Sequence, residues 1–224
     1  SIDSEAVATF LRFGYVPGPR SILREVEKLE PGTFLTLGVD GAARSESYYS
    51  LRDVAKRGLA STRTGGLAEA ADELDRLLRA SVGRQMVADV PLGAFLSGGI
   101  DSSTVVALMQ AQSDRPVRTF TIGFADREFD EADHARAIAE HLGTDHTELR
   151  LDPDAALAVV PELATIYDEP FADSSQIPTL LVSRMARDHV TVALSGDGGD
   201  ELFAGYTRHF RGRLLGPVLE HVPW

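Results

Sequence analysis

Asp89-Val90-Pro91-Leu92-Gly93-Ala94-Phe95-Leu96-Ser97-Gly98-Gly99-Ile100-Asp101-Ser102-Ser103 is the stretch that decides the fold. A short apolar run, Pro91 to Leu96, stops at a serine, two glycines, an aspartate and two hydroxyls. A helical pattern, Thr104 to Gln112, follows at once. A strand that turns this tightly into a helix builds an anion cradle. Glycines let backbone N–H groups approach a polyphosphate, and hydroxyls add donors. The helix points its positive end at the same spot. Asp101 is a poor phosphate ligand by charge but suits a bridging Mg²⁺.

The run is not a Walker A loop, which needs a lysine beside its last glycine. Its S-G-G-x-D-S-S string resembles instead the PP-loop of ATP pyrophosphatases, which split ATP between the α and β phosphates. A bare strand-to-helix turn is the plainer alternative for this string alone.

Outward from this loop, short apolar runs alternate with helical patterns. The runs are 91–96, 117–124, 147–151 and 190–194, and the helices are 104–112, 131–142, 155–167 and 178–188. A longer amphipathic helix, from Leu67 through Leu74 and Leu78 to Val82, precedes them. Asp130 can cap the helix over 131–142 and Gly143 can close it. Pro161 threatens to kink or split the helix over 155–167. The alternation predicts an α/β fold, a doubly wound parallel sheet with helices on both faces and strand order 3-2-1-4.

The fourth run ends as Leu194-Ser195-Gly196-Asp197-Gly198-Gly199-Asp200-Glu201, repeating the Leu-Ser-Gly of the first loop. In a doubly wound sheet ligands sit beyond the carboxyl ends of the strands, where strand order reverses. Order 3-2-1-4 makes the first and fourth strands neighbours there, so both loops face one crevice. Ser97, Gly98, Gly99, Ser102 and Ser103 would then hold the β and γ phosphates of ATP. Leu96, Ile122, Leu194, Ser195 and Gly196 would line the nucleotide pocket. Asp101 and Asp200 would carry Mg²⁺. Asp197, Asp200 and Glu201 repel one another unless a cation sits among them; a solvated acidic turn is the alternative. The spacing does not match an EF-hand.

Composition narrows the field. The chain has 224 residues, no cysteine and a net charge of −12. Disulfides, thiolate metal sites and a cysteine nucleophile within the chain are excluded. The acidic balance disfavours nucleic acid and anionic membranes as partners. No run approaches the roughly 20 apolar residues of a membrane span. Ser1-Ile2-Asp3 carries no basic or apolar signal pattern, so a cytoplasmic location is expected.

Before residue 67 the character differs. Residues 4–13 read as a short helix ended by Gly14 and the Pro17-Gly18-Pro19 turn, and 33–37 and 43–49 as a hairpin around Asp40-Gly41. Residues 51–66, with glycine, serine, threonine and basic residues in weak periodicity, read as a linker.

Several strings in order resemble asparagine synthetase of the glutamine-hydrolysing type. They are Asp89 to Ser103, Thr119-Phe120-Thr121-Ile122-Gly123-Phe124, His141-Leu142-Gly143-Thr144, Asp168-Glu169-Pro170-Phe171-Ala172-Asp173-Ser174-Ser175, and Leu194 to Tyr206. Arg12-Phe13-Gly14-Tyr15-Val16-Pro17, Leu29-Glu30-Pro31-Gly32 and Tyr48-Tyr49 resemble the end of that family's glutaminase domain. The resemblance implies residues 1–50 as the tail of a glutaminase-like domain, 51–66 as linker, and 67–224 as the N-terminal part of the synthetase domain. It implies that the carboxylate of aspartate attacks the α-phosphate of ATP and releases pyrophosphate. Ammonia, supplied by a glutaminase domain, then displaces AMP from β-aspartyl-AMP. Asp197, Asp200 and Glu201 are the catalytic candidates, with Asp197 at the position that influences the intermediate. Many relatives carry glutamate there. The isolated stretch is expected to have little synthetase activity, since the family's cysteine nucleophile and later helical region lie outside it. A homodimer is left open. Two alternatives stand: a β-lactam synthetase-like enzyme or other amidotransferase that adenylates a different acid, and a non-catalytic nucleotide-binding scaffold.

Other polar residues carry weaker readings. His134 and His141 lie two turns apart on one helix, too far for one ion, and with His146 read as surface. Asp168, Glu169 and Asp173 are candidates for approach to the aspartate pocket. Ser174 and Ser175 are donors for a substrate carboxylate or caps of the next helix. Tyr206 and Arg208 either reach the crevice or pack on the surface. Trp224 supports no reading.

Overall fold

The computed structural model describes residues 1–62, 64–124, 131–209, 211, 212 and 215. The expected cap at Asp130 and Trp224 lie outside the described residues. The chain divides into two compact units, one of residues 1–70 and 159–176, the other of 71–158 and 177–224.

The first unit opens with α1 (Ser4–Phe13). Asp3 caps it by accepting the Glu5 N–H at 2.9 Å, and Gly14, in the left-handed region, ends it as expected. Strands β1 (Thr33–Leu37) and β2 (Ala43–Ser47) pair antiparallel, Thr33 opposite Ser47. The stretch read as a linker differs from that expectation: Leu51–Ala60 forms helix α2, with the Ser50 hydroxyl accepting the Asp53 N–H at 3.3 Å. Leu51, Val54, Ala55 and Leu59 share one face of it, and none of its residues is buried. The segment 159–176 is tied in by polar contacts. Glu169 accepts the Ile22 N–H at 3.1 Å and pairs with Lys28, and the Ala172 N–H donates to the Gly14 carbonyl at 2.6 Å.

The second unit holds the sheet. Helix α3 (Leu67–Gln85) leads into β3 (Leu92–Phe95), α4 (Ile100–Gln110), β4 (Arg118–Phe124), α5 (Ala132–Leu142) and β5 (Asp145–Leu151). Next comes α6 (Pro153–Ala158), and after it α7 (Val160–Ile166), which belongs to the first unit. The sequence pattern over 155–167 therefore splits, with Pro161 in the first turn of α7, where its missing N–H costs nothing. Then α8 (Gln176–Arg187), β6 (Val192–Leu194) and α9 (Gly199–Phe203) complete the described elements.

The sheet runs β5-β4-β3-β6, all parallel. Numbered within the sheet, that is the expected order 3-2-1-4. Side-chain alternation along β3 separates two cores. Ala94 and Leu96 pack with Val82 of α3, Val106 and Met109 of α4, and Ala135 and Ala139 of α5. Phe95 turns to the other face with Phe120, Val182, Met185 and Ala186, the last three from α8. Burial on both faces is why β3 and β4 read as largely apolar, whereas β5 at the sheet edge carries Asp145, His146, Glu148 and Arg150. Among the described residues no helix is long and apolar enough to cross a membrane.

Candidate functional site

β3 and β6 are parallel neighbours, Leu92 opposite Val192 and Ala94 opposite Leu194. Both Leu-Ser-Gly turns therefore leave the sheet side by side from the same edge. The contact is close. A Cβ at Gly196 would lie 2.6 Å from the Ser102 nitrogen and 2.9 Å from the Asp101 carbonyl carbon. One at Gly199 would overlap the Asp101 carboxylate. Only glycine lets the second loop rest on the first.

Helix α4 starts at Ile100, four residues before the sequence pattern indicated. Asp101, Ser102 and Ser103 thus occupy its first turn. Gly99 caps it without a side chain, so the leading N–H groups have no acceptor inside the helix. The Ser102 hydroxyl, 8% exposed, is committed inside the loop. It accepts the Ser97 N–H at 3.2 Å, pairs with the Ser97 hydroxyl at 2.9 Å and donates to the Gly99 carbonyl at 3.3 Å. It shapes the turn rather than facing outward. The Ser103 hydroxyl is buried and unpartnered among the described residues. Ser97 is exposed, and its hydroxyl accepts the Gly99 N–H at 3.3 Å.

On the other flank of the first loop stands α5. Gly98 has φ +83°, and a Cβ there would come 2.9 Å from both the Ala135 nitrogen and the His134 Cβ. Ile122 lies two residues past Phe120, whose carbonyl accepts the Leu96 N–H at 2.9 Å. It is therefore beside the start of the first loop, on the strand next to β3. The register brings Leu194 against Ala94 at the base of the crevice.

The second loop carries the acids. Asp197 is exposed and accepts the Ser195 hydroxyl at 3.0 Å. Asp200 opens α9, and its carboxylate lies against the backbone of Gly205, where a Cβ would overlap it. Glu201 is exposed and accepts the Tyr206 hydroxyl at 2.7 Å. That bond holds the Glu201 carboxyl below its usual range and pushes the Tyr206 phenol up. Arg208 lies 4.2 Å over the Tyr206 ring, so this pair is occupied with Glu201 and with each other. No group of three or more metal-ligating side chains gathers among the described residues. The Asp101 carboxylate borders Gly199 and the Asp200 carboxylate borders Gly205.

Other candidates have local partners. Glu169 accepts the Ile22 N–H and pairs with Lys28 within the first unit. Asp173 accepts the Ser175 N–H at 2.8 Å and acts at the start of α8; that bond lowers its carboxyl. His146 lies in β5 rather than on a surface: Nδ1 is 2.9 Å from the Thr119 hydroxyl and Nε2 is buried without a partner among the described residues. His134 is exposed, as its surface reading expects, and its place beside Gly98 was not legible; nor was the contact of Gly199 with Asp101. The only signal for Gly199 was a second glycine in an acidic turn.

Fold and turns together define a doubly wound α/β domain with paired glycine loops at the carboxyl ends of neighbouring strands. Residues 73–223 match the asparagine synthase family, and the chain belongs to that family. It is 41% identical over 207 residues to a putative glutamine-hydrolysing asparagine synthetase of Mycobacterium bovis, covering 92% of this chain and 31% of that protein. It is 36% identical over 230 residues to glutamine-hydrolysing asparagine synthetase 1 of Bacillus subtilis, covering 99% of this chain and 34% of that protein. The chain thus spans about a third of the length of these curated relatives. Among solved structures, NMN synthetase from Francisella tularensis aligns at a TM-score of 0.42 and 17% identity, over 63% of this chain and 59% of that one.

Proposed function

We propose that this chain forms the nucleotide-binding part of a longer ligase that makes asparagine from aspartate, converting ATP to AMP and pyrophosphate. The observation that carries this is the packing of Gly196 and Gly199 onto Asp101 and Ser102 at the crevice between β3 and β6. Family membership and the names of the relatives support the substrate class.

On this reading the free N–H groups of the Gly98–Ser102 turn bind the β and γ phosphates, with Ser97 and Ser103 beside them. Leu96, Ile122, Leu194, Ser195 and Gly196 hold the adenosine part. Asp101 and Asp200 would hold Mg²⁺, whose charge would offset that of the pyrophosphate. A carboxylate acylates an amine only once its oxygen becomes a good leaving group, and adenylation to β-aspartyl-AMP supplies that. Asp197, fixed by Ser195, positions the incoming ammonia or accepts its proton. Asp200 and Glu201 complete the acidic side.

Ammonia comes from a glutaminase domain, of which residues 1–50 are the tail. Residues 51–66 connect it to a synthetase domain beginning near residue 67. The 224-residue stretch by itself has little synthetase activity.

A second reading rests on Asp197. It is one methylene shorter than glutamate and tied to Ser195, which fits an enzyme adenylating another acid. Pyrophosphate release by the full-length protein, measured across aspartate and other candidate acids, tests both readings. Aspartate-dependent release that disappears in Asp101→Ala is the expected result. Release with a different acid favours the second reading. No release with any acid overturns both.

A further inference from the structure

One flank of the Ser97–Ser103 turn meets the acidic second loop: Gly196 rests on the Asp101 and Ser102 backbone, and Gly199 on the Asp101 carboxylate. The other flank is closed by the first turn of α5. Gly98 sits in the left-handed region, and a Cβ on it would strike the His134 Cβ and the Ala135 nitrogen, each at 2.9 Å. The loop and the helix are in backbone contact, and His134 branches off at that contact.

The neighbouring acid does not compete there. Asp133 is held by Arg136 at 3.1 Å and Arg150 at 3.0 Å, both of which also bond Glu148 of β5. That network ties the first turn of α5 to the sheet, with Asp133 facing β5. His134 lies about 100° further round the helix. It is exposed and has no hydrogen-bond partner among the described residues. Its far ring nitrogen reaches about 3.5 Å beyond its Cβ, from a Cβ already packed on the loop. Among the described residues the loop thus has the acidic second turn on one side and the His134 imidazole on the other, with Asp133 turned to its arginines.

We propose that His134 is a substrate-binding residue that donates an imidazole N–H to the polyphosphate held by the Ser97–Ser103 turn. This rests on the nucleotide reading of that turn. The division of labour is electrostatic. Phosphate oxygens facing the acids need a cation between, whereas those facing α5 take a direct hydrogen bond. A neutral imidazole suffices, since either tautomer carries one donor.

The test is calorimetric binding of ATP, inorganic pyrophosphate and AMP, each with Mg²⁺, to the full-length protein and its variants. His134→Ala is expected to weaken ATP and pyrophosphate about tenfold, the worth of one hydrogen bond to a charged group, and to leave AMP unchanged. His134→Gln, which keeps an N–H donor, should recover most of the loss. Unchanged pyrophosphate binding in His134→Ala overturns the proposal, and so does an equal loss of AMP, which would mean a damaged loop. Asp101→Ala and Gly98→Val separate the two levels. If both lose ATP while His134→Ala keeps it, the turn binds the nucleotide without His134 and only the proposal falls. If both keep ATP, the nucleotide reading fails and the proposal with it.

Discussion

Leu96-Ser97-Gly98 and Leu194-Ser195-Gly196 are the same tripeptide at the ends of neighbouring parallel strands, yet they are built differently. The first turn closes on itself: Ser97 bonds Ser102, and an 11-residue helix follows. The second turn stays open: Ser195 bonds the acidic side chain of Asp197, and a five-residue helix follows. Their glycines differ too. Gly98 makes room for α5, whereas Gly196 makes room for the first turn. One loop is therefore a rigid source of backbone donors. The other is a carrier of carboxylates that leans on it.

Gly196→Val attacks that dependence most directly. Its side chain would meet backbone atoms of Asp101 and Ser102, which cannot swing aside. A loss of about 1–3 kcal/mol in urea unfolding is expected, together with loss of pyrophosphate release. Gly198→Ala is the control. It has nothing within 4 Å but sits at φ +88°, so it should cost about 1–2 kcal/mol from strain while keeping the loop contact. Equal loss of activity in both variants would show that the two turns do not depend on this contact.

The serines sharpen the same comparison at smaller scale. Ser102→Ala removes a buried hydroxyl that three groups use and should cost about 1–2 kcal/mol. Ser195→Ala, on the exposed turn, should stay within about 0.5 kcal/mol. Matching denaturation midpoints for the two would make the turns energetically alike.

The smallest effect lies away from both loops. Burial lowers the His146 pKa from its ordinary 6.5. The native state therefore prefers the neutral ring, and this contribution is complete above the unfolded pKa. It is lost as pH falls below about 6.5 toward the folded value. The thermal midpoint should drop more steeply with acid in the wild type than in His146→Asn, measured between neutral pH and pH 5. Parallel profiles would remove His146 as a cause.

Much of this was legible in the chain. Apolar runs at regular intervals between helical patterns determine a parallel sheet, because strands buried on both faces carry few polar residues. The repeated Leu-Ser-Gly located both turns and the acids that follow within them. The helix over 51–60 was hidden because its short apolar face, Leu51, Val54, Ala55 and Leu59, runs straight into the glycine-, serine- and threonine-rich residues 58–66. The start of α4 was placed late because Gly98, Gly99 and Asp101 are poor helix formers, and the tight turn overrides that preference. The pairing of Glu169 with Lys28 was not legible, because a carboxylate in a motif reads the same whatever it faces.

The order of residues alone determined the layers, the strand order and which turns carry hydroxyls, glycines and acids. Those follow from local periodicity and from the short list of ways to wind a parallel sheet. Tertiary structure alone decided what each glycine touches, that Ser102 is used up within its own turn, and that His134 borders the first loop. Such contacts join residues far apart along the chain, and their distances depend on how helices and strands pack, which no local pattern encodes.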